Sequence, residues 1–170
     1  NGGKNWKNVT PKKMPEWMMI NCIEIDPFTA GGAYIVGTKY KTGDYKPYIY
    51  KTEDYGKNWK LITNGIANEH FTRALRVDPN RKGLLYAGTE SGMYISFNDG
   101  VNWKSFQLNL PLVPITDLTI KDNNIIAATQ GRSFWVIDDL TPLHQLDDEL
   151  ISKDVFLYQP MDSYRLGGSK

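Results

Sequence analysis

The side chains with the clearest chemical potential are two adjacent carboxylates, Asp138 and Asp139. Glycoside cleavage normally uses two carboxylates about 5 to 10 Å apart, one of them as the general acid. Neighbouring residues of a strand point to opposite faces, so this pair would converge on one sugar only across a bulge. Because Thr141 and Pro142 follow, the sequence favours a turn that ends a strand. We therefore expect no catalytic residue in this chain.

The other reactive side chains occur singly. His70 and His144 have no Cys, His or carboxylate at a metal-ligand spacing. Cys22 stands at the start of an apolar strand, where a buried and inert thiol is the expectation. The glycine pairs lack the strand-to-helix context of a phosphate-binding loop. The sequence therefore predicts no metal site and no cofactor.

Composition argues against two classes of partner. Lys and Arg number 20 and Asp and Glu number 19, so the formal charge of +1 gives no electrostatic footprint for nucleic acid. No apolar run approaches the roughly 20 residues that a membrane-spanning helix needs. With 41% hydrophobic residues, the chain has the apolar material for a sizeable core. We expect a folded domain that binds no nucleic acid and spans no membrane.

An internal repeat dominates the sequence. The segment 23–38 returns at 75–89, with offsets of 52 between Asp26 and Asp78 and 51 between Thr38 and Thr89. A third copy, 118–129, keeps the order and spacing of the two apolar runs. Each run is short, rich in β-branched or aromatic residues and bounded by turn residues, which predicts strands. A period of about 40 to 50 residues is typical of propeller blades and other repeat arrays.

A second motif, Ser/Thr-x-Asp/Asn-x-Gly-x-x-Trp, stands later in each unit. It occurs as Thr52, Asp54, Gly56 and Trp59, as Ser96, Asn98, Gly100 and Trp103, and as a tail, Gly3 and Trp6. In a tight turn the Asp or Asn accepts backbone N–H groups, the glycine takes a positive φ, and the hydroxyl bonds back across the turn. We expect the indoles of Trp59 and Trp103 to pack over their hairpins and beside the neighbouring strand. The motif thus has a structural role.

This motif resembles the Asp box, or BNR repeat, of sialidases, xyloglucan-cleaving glycosidases, sortilin-type receptor domains and photosystem assembly factors. All of these are β-propellers, and the resemblance covers roughly residues 1–140. It implies an all-β fold, a partial β-propeller of two to three four-stranded blades with Asp-box hairpins. In this superfamily the box is a structural turn, usually remote from the active face, so the resemblance predicts fold rather than activity.

Segments 109–118 and 127–143 are similar to the last propeller blades of bacterial secreted proteins of the sortilin-like or BNR-repeat glycosyl hydrolase kind. That resemblance implies a modular, exported chain in a secreted, periplasmic or cell-surface location. In this unit Asp139 stands at the acidic position of the box. Ile137, Thr141 and the absence of a Trp indicate that the box has decayed here.

The repeats predict an organisation into blades. The end of a preceding blade and a connector occupy 1–20, blades occupy 21–63 and 64–107, a terminal blade with a decayed box occupies 108–160, and 161–170 is a tail or linker. Closed rings keep the faces between blades covered, and two to three blades leave two such faces bare. We therefore expect the chain to adjoin the remaining blades of a parent chain or another copy.

The function predicted from these features is that of a non-catalytic propeller module, a scaffold or a binding surface for a protein or glycan. The candidate ligand-facing loop holds Gln130, Arg132 and Trp135, because a loop between two strands at a blade end is where rigid β scaffolds tend to carry binding groups. The alternative is a fragment of a BNR-repeat glycoside hydrolase, sialidase-like or xyloglucanase-like, whose catalytic residues lie outside this chain.

Overall fold

The computed structural model describes residues 2–162 and Gly167, and this part of the chain is almost entirely β-structure. Three antiparallel sheets follow one another along the sequence, and within each sheet neighbouring strands are neighbours in the chain. The sheets form successive blades of an open array. The predicted all-β, partial β-propeller fold is thereby confirmed.

The first blade contains β1 (Met19–Ile25), β2 (Ala33–Lys39), β3 (Asp44–Thr52) and β4 (Lys60–Leu61). A single turn of 3-10 helix, Tyr40–Thr42, connects β2 to β3 and ends at Gly43, whose φ is 79°.

The second blade repeats this plan with β5 (Thr72–Val77), β6 (Leu85–Thr89), β7 (Gly92–Ser96) and β8 (Lys104–Ser105). Every residue of β6 and β7 is buried, because each face of this sheet is covered by a neighbouring blade. Alternation along a strand sends successive side chains to opposite neighbours. Leu75 accordingly packs toward the first blade and Ala74 toward the third.

The third blade contains β9 (Ile115–Lys121), β10 (Asn124–Thr129) and β11 (Phe134–Ile137). No fourth strand pairs with β11 in the part of the chain that the structure describes, so this blade differs from the predicted four strands. The chain instead enters α1 (Thr141–Gln145) and then α2 (Asp148–Ile151). Pro142 favours this path, because proline suits the first turn of a helix and cannot donate to a sheet ladder.

The blades pack through their first strands and through two apolar clusters. β1 lies beside β5, and β5 beside β9, which makes these three the inner row of the array. One cluster joins the first two blades and includes Tyr34, Leu75 and Trp103. The other joins the second and third blades and includes Tyr86 and Leu140. Both interfaces are covered, whereas the outer faces of the first and third blades are not.

The blades have two distinct ends. At the loop end lie the starts of β1, β5 and β9 and the connections that follow β2, β6 and β10, since Met19 pairs with Thr38 and Thr72 with Thr89. At the opposite turn end lie residues 52–59 and 96–103. None of the described helices is long and apolar enough to cross a membrane. Most of the predicted tail, 161–170, falls outside the described residues.

Candidate functional site

The first turn, residues 52–59, is closed by side-chain hydrogen bonds. The Thr52 hydroxyl donates to Asp54 Oδ1 at 2.9 Å and accepts from the backbone N–H of Gly56 at 3.0 Å. Asp54 Oδ1 accepts from the backbone N–H of Asn58 at 2.9 Å, and Oδ2 accepts from its side-chain amide at 2.7 Å. Gly56 has a φ of 76°, a conformation that costs glycine little. The acidic side chain is therefore fully engaged within its own turn.

The second turn, residues 96–103, repeats these bonds with an amide in place of the carboxylate. The Ser96 hydroxyl donates to Asn98 Oδ1 at 3.1 Å and accepts from the Gly100 N–H at 2.9 Å. Asn98 Oδ1 accepts from the backbone N–H of Asn102 at 2.9 Å. An amide oxygen and a carboxylate oxygen thus fill the same acceptor position, so the negative charge is not required for the turn geometry.

The hydrogen bonds of the first turn also change the pKa of Asp54. The hydrogen bonds from the backbone N–H and the side chain of Asn58 lower the pKa of Asp54 to about 2. An unperturbed aspartate has a pKa of about 3.9. The carboxylate is therefore ionised throughout the physiological range, and it is poorly suited to act as a proton donor.

Each turn ends in a tryptophan that contacts the segment before its own blade. Trp103 donates its indole N–H to the carbonyl of Ile62 at 2.7 Å, and Trp59 donates to the carbonyl of Val9 at 2.7 Å. Trp103 is 3% exposed and Trp59 is half-buried, whereas Trp6 is 90% exposed. In both cases the acceptor stands three residues after the tryptophan of the preceding unit.

The glycines of the motif allow this close approach. A Cβ at Gly56 would overlap the Val9 side chain, and a Cβ at Gly100 would overlap Ile62. Gly3, with a φ of 78°, lies against the ring of Trp6. The glycine of each complete turn therefore serves both the backbone conformation and the contact with the preceding unit.

An ion pair accompanies the second turn. Asp99 accepts from the Tyr34 hydroxyl and from Lys51 Nζ, each at 2.5 Å. Burial and the hydrogen bond to Asp99 raise the pKa of Tyr34. Burial opposes the charge of Lys51, but its bonds to Asp99 and Glu53 outweigh this and raise its pKa. These contacts join the first and second blades at the turn end.

The third blade has an apolar residue at the corresponding position. The backbone N–H of Asp99 donates to Gly83 and that of Leu140 donates to Asn123, each at 2.8 Å, so the two residues are structurally equivalent. Leu140 is 0% exposed and packs with Ile95, which stands where Lys51 stands in the first blade. An apolar contact thus takes the place of the ion pair at the second interface.

The adjacent acids Asp138 and Asp139 have separate surroundings. Asp139 Oδ1 accepts from the Thr141 backbone N–H at 2.8 Å and from Asn123 Nδ2 at 3.0 Å. The bonds to Thr141, with a smaller contribution from Asn123, lower the pKa of Asp139. Asp138 is exposed. Asp139 therefore holds the turn before α1.

The loop that holds Gln130 and Arg132 lies at the loop end, and both side chains are exposed. The Thr129 hydroxyl donates to the Ser133 carbonyl at 2.6 Å and accepts from the Arg132 N–H at 3.2 Å. Trp135 donates its indole N–H to the Arg132 carbonyl at 2.9 Å. These hydrogen bonds hold the backbone of the loop, while the side chains of Gln130 and Arg132 are exposed to solvent. Trp135 itself is half-buried and faces the second blade.

A cluster of aromatic and charged side chains lies at the same end, on the first two blades. The rings of Tyr40 and Phe71 stack with centroids 4.9 Å apart and an interplanar angle of 12°. The Arg73 guanidinium lies 5.1 Å from the Phe71 centroid and pairs with Glu90 at 2.5 Å. Tyr45 is 52% exposed beside Phe71. We call these five residues the loop-face cluster.

Trp17 belongs to the same end of the molecule, because it lies two residues before the start of β1. It is 87% exposed and has a φ of 60°. A large indole held in the left-handed backbone region and left open to solvent is uncommon for a bulky residue. Trp17 and Tyr45 are thus two exposed aromatic side chains at this end.

Three charged residues missed by the sequence analysis connect the inner strands. Arg76 pairs with Asp117 at 2.9 Å and with Glu24 at 3.6 Å. Glu24 also accepts from the Val77 backbone N–H at 3.2 Å. Burial raises the pKa of Glu24, and its bond to Val77 and the charge of Arg76 act in the opposite direction. Glu24 and Arg76 occupy the same position in successive repeats with opposite charges, a signal that could have identified them.

Cys22 is half-buried rather than buried as predicted, and both Cys22 and His144 make side-chain hydrogen bonds. Cys22 Sγ donates to the Leu75 carbonyl at 3.7 Å and accepts from Arg76 at 3.2 Å. His144 Nε2 lies 2.9 Å from Asp78 Oδ2, a contact that fixes α1 against the second blade. Within residues 2–162, no group of three or more His, Cys, Asp or Glu is arranged to hold a metal ion.

Comparison with known proteins bears on the fold. A GH74 enzyme of Niastella koreensis matches with a TM-score of 0.55 at 19% identity, over 71% of this chain and 21% of that one. The GH74 xyloglucanase of Xanthomonas campestris matches with a TM-score of 0.50 at 18% identity, over 71% and 22%. YCF48 bound to D1 peptide matches with a TM-score of 0.51 at 18% identity, over 71% and 36%.

These neighbours are β-propeller proteins, and at such identities the likeness establishes the fold alone. The chain spans about a fifth of the two GH74 enzymes and about a third of the YCF48 structure. No protein-family model and no curated protein matches the sequence.

Proposed function

We propose that the chain is a non-catalytic propeller module whose loop end binds a segment of a partner protein. The observation that carries this proposal is the loop-face cluster, in which Arg73 is held between Phe71 and Glu90 while Tyr45 stays open to solvent. Trp, Tyr and Arg are the residue types that dominate the energetic centres of protein interfaces. Side chains that are already ordered lose less conformational entropy on binding.

In this proposal the two turns are Asp boxes with a purely structural role. Their acceptor atoms are used within the turns, and their tryptophans are used to contact the preceding unit. They also lie at the end of the blades opposite the loop-face cluster. In this proposal the loop end binds the partner, and the turn end stabilises the packing of the blades.

Gln130 and Arg132 form the edge of the proposed surface on the third blade. Their loop is held by Thr129, and it carries two exposed polar side chains at the same end of the blades as the loop-face cluster. A polar rim around an aromatic centre is the usual arrangement of a protein interface. Both residues are expected to tune specificity more than affinity.

The solved structure of YCF48 with a peptide supports a polypeptide ligand, since that propeller is described as bound to D1 peptide. The resemblance to secreted BNR-repeat proteins supports a location outside the cytoplasm.

The experiment is to select peptides from a displayed random library on the 170-residue chain and to measure their affinity for variants. We expect Tyr45→Ala and Arg73→Ala to weaken binding at least tenfold. Lys57→Ala changes an exposed residue at the turn end and serves as the matched control, with unchanged affinity expected. Peptides whose binding depends on Lys57 but not on Tyr45 or Arg73 would place the surface elsewhere and contradict the proposal.

A second candidate function follows from the two GH74 neighbours, namely a fragment of a glycoside hydrolase whose catalytic carboxylates lie outside this chain. The assay is incubation with xyloglucan and with sialosides, together with titration of xyloglucan oligosaccharides. Cleavage by this chain would refute the non-catalytic proposal. Binding of oligosaccharides without cleavage, lost in Tyr45→Ala, would instead support a carbohydrate ligand at the loop end.

A further inference from the structure

An apolar groove, with a cavity volume of about 40 Å³, lies between the second and third blades and is partly open to solvent. Its walls include Phe106 and Leu110 from the second blade and Ile125, Ala127 and Trp135 from the third. At the first interface Trp103, which is 3% exposed, occupies the corresponding space.

The groove corresponds to the site of Trp103 through the repeat. Trp103 clusters with five residues whose counterparts line the groove: Ile62, Ile66, Leu85, Ala87 and Tyr94. The correspondence is fixed by equivalent bonds, since Ile62 donates to Ile49 as Phe106 donates to Met93. Likewise Ala87 pairs with Tyr94 as Ala127 pairs with Trp135. The groove is thus the position of a tryptophan that the third blade does not supply.

The turn that lies against Trp103 also differs from the turn that lies beside the groove. At the first interface the Trp103 backbone N–H donates to Asn64 at 2.8 Å, and a Cβ at Gly65 would overlap the Trp103 carbonyl. The corresponding turn, residues 107–110, has Leu108 and Asn109 at its centre and no glycine. Leu108 is 69% exposed. No incoming strand covers this turn among the described residues.

The chain carries the missing element at its other end. Gly3, Asn5, Trp6 and Lys7 reproduce the Gly-x-Asn-Trp-Lys of both complete turns. Trp6 is nevertheless 90% exposed, although its counterparts Trp59 and Trp103 are packed. The segment before the first blade thus exposes a tryptophan, and the third blade lacks one at the equivalent position.

We propose that Trp6 of a second copy of this chain occupies the groove, and that the following residues supply the fourth strand of the third blade. β4 pairs Lys60 with Lys51, and β8 pairs Lys104 with Ile95. By the same register, Lys7 of the second copy pairs with Val136 on the open edge of β11. The indole N–H of Trp6 then donates to the carbonyl of Phe106, as Trp103 donates to Ile62.

The faces that this arrangement brings together are both apolar and both uncovered. Ile23 and Ile25 on β1 are 68% and 75% exposed, on the side away from the second blade. Phe134 and Val136 on β11 are 74% and 51% exposed, on the outer side of the third blade. In the proposed contact the β11 face of one copy covers the β1 face of the next. Burial of apolar surface is the main driving force for such association.

The contact joins different surfaces of the two copies, so it must close into a ring or grow into a filament. Each copy contributes three blades. Two copies would give six, within the four to eight blades of typical closed propellers. Closure by a dimer is therefore the expected form.

The test is sedimentation velocity of the full 170-residue chain over a range of concentrations. We expect the wild type to reach about twice its monomer mass of 19.4 kDa. Trp6→Ala should weaken self-association by about 30-fold or more, as for an interface hot spot. Trp17→Ala removes an equally accessible indole outside the motif and should leave the association unchanged.

A variant on the groove side completes the design. Leu108→Asp places a charge at the rim of the groove in an exposed position whose φ of 45° suits Asp, so the fold should be retained. Leu108→Asp and Trp6→Ala should each be monomeric alone and should form a heterodimer when mixed, because one intact contact remains. A wild type that stays monomeric at all concentrations, or a Trp6→Ala variant that assembles like the wild type, would overturn the proposal.

Discussion

Trp103 donates its indole N–H to the carbonyl of Ile62, which stands three residues after the tryptophan of the preceding turn. Trp59 makes the same bond one unit earlier, to Val9. The first and second blades are thus each bonded to the unit before them through the same indole N–H and carbonyl groups. Because Trp103 is buried and Trp59 is half-buried, the two tryptophans should differ in their contribution to stability.

We predict that Trp103→Ala lowers the free energy of unfolding by about 3 to 5 kcal/mol, the usual loss for a large buried aromatic residue. Trp59→Ala should cost less, since more of its ring remains in solvent. Trp103→Phe, which keeps much of the apolar contact, should lose about 1 kcal/mol for the hydrogen bond. Denaturant titration measures all three, with Trp17→Ala as the control. Equal losses for Trp59→Ala and Trp103→Ala would contradict the packing described.

The low pKa of Asp54 predicts acid sensitivity of the first turn. A folded-state pKa of about 2, against an unfolded value near 3.9, means that the charged form stabilises the fold above pH 4. That stabilisation is lost as the pH falls from about 4 to 2. We expect Asp54→Asn to retain the turn, as Asn98 does in the second, and to flatten the fall of the melting temperature over this range.

The matched control for that experiment is Asp138→Asn, which removes an exposed carboxylate outside the turn. It should reproduce the acid dependence of the wild type. If Asp54→Asn loses stability between pH 4 and 2 as steeply as the wild type does, the carboxylate of Asp54 does not carry the effect.

The inner-strand charges make a prediction for Glu24. Removing the guanidinium by Arg76→Met should raise the pKa of Glu24 further, because the positive charge now lowers it. The variant should lose about 1 to 3 kcal/mol at pH 7, where an uncompensated carboxylate stays partly buried. A raised pKa favours the protonated form in the folded state, so this loss should shrink as the pH falls below the pKa.

NMR titration of the Glu24 carboxyl carbon and denaturant titration at two pH values test this prediction. Arg73→Met breaks a comparable ion pair, with Glu90, at the loop end and is the control. It should leave the pKa of Glu24 unchanged. A Glu24 pKa that does not respond to Arg76→Met would show that the guanidinium does not contribute to its value.

Leu140 and Ile95 stand at the second interface where Asp99 and Lys51 form an ion pair at the first. This equivalence predicts how substitutions of Leu140 change stability. Leu140→Ala should cost about 2 to 5 kcal/mol, since the side chain is fully buried. Leu157→Ala, at a position that is 91% exposed, should cost less than about 0.5 kcal/mol. Ile95→Lys combined with Leu140→Asp should be less destabilising than the sum of the two single changes. A double-mutant cycle with no favourable coupling would argue against the equivalence of the two interfaces.

The strands of the first two blades could be predicted because their signals are local and repeated. Asp26 and Asp78, or Thr38 and Thr89, mark the same points of successive units. Pro142 carried a signal as well, since it disfavours a fourth strand after β11, but the repeat alone suggested a complete blade. The helix that replaces that strand is the main departure from the expected architecture.

The contacts between blades could not be predicted in the same way. Glu24, Arg76 and Asp117 lie on three different blades, and their meeting depends on how far each sheet is displaced along the next. The stacking of Tyr40 on Phe71 depends on a 3-10 turn that no sequence motif predicts. The assignment of Gln130, Arg132 and Trp135 to a ligand-facing loop stays a prediction.

The bond between each tryptophan and the preceding unit also has an evolutionary consequence. A blade recognises its predecessor through a backbone carbonyl, an atom that every residue possesses, and through a position where Val9 and Ile62 serve equally. A duplicated unit would therefore find an acceptor for its indole N–H without any change at this bond. The side-chain pairs between blades, such as Lys51 with Asp99, would still have to match.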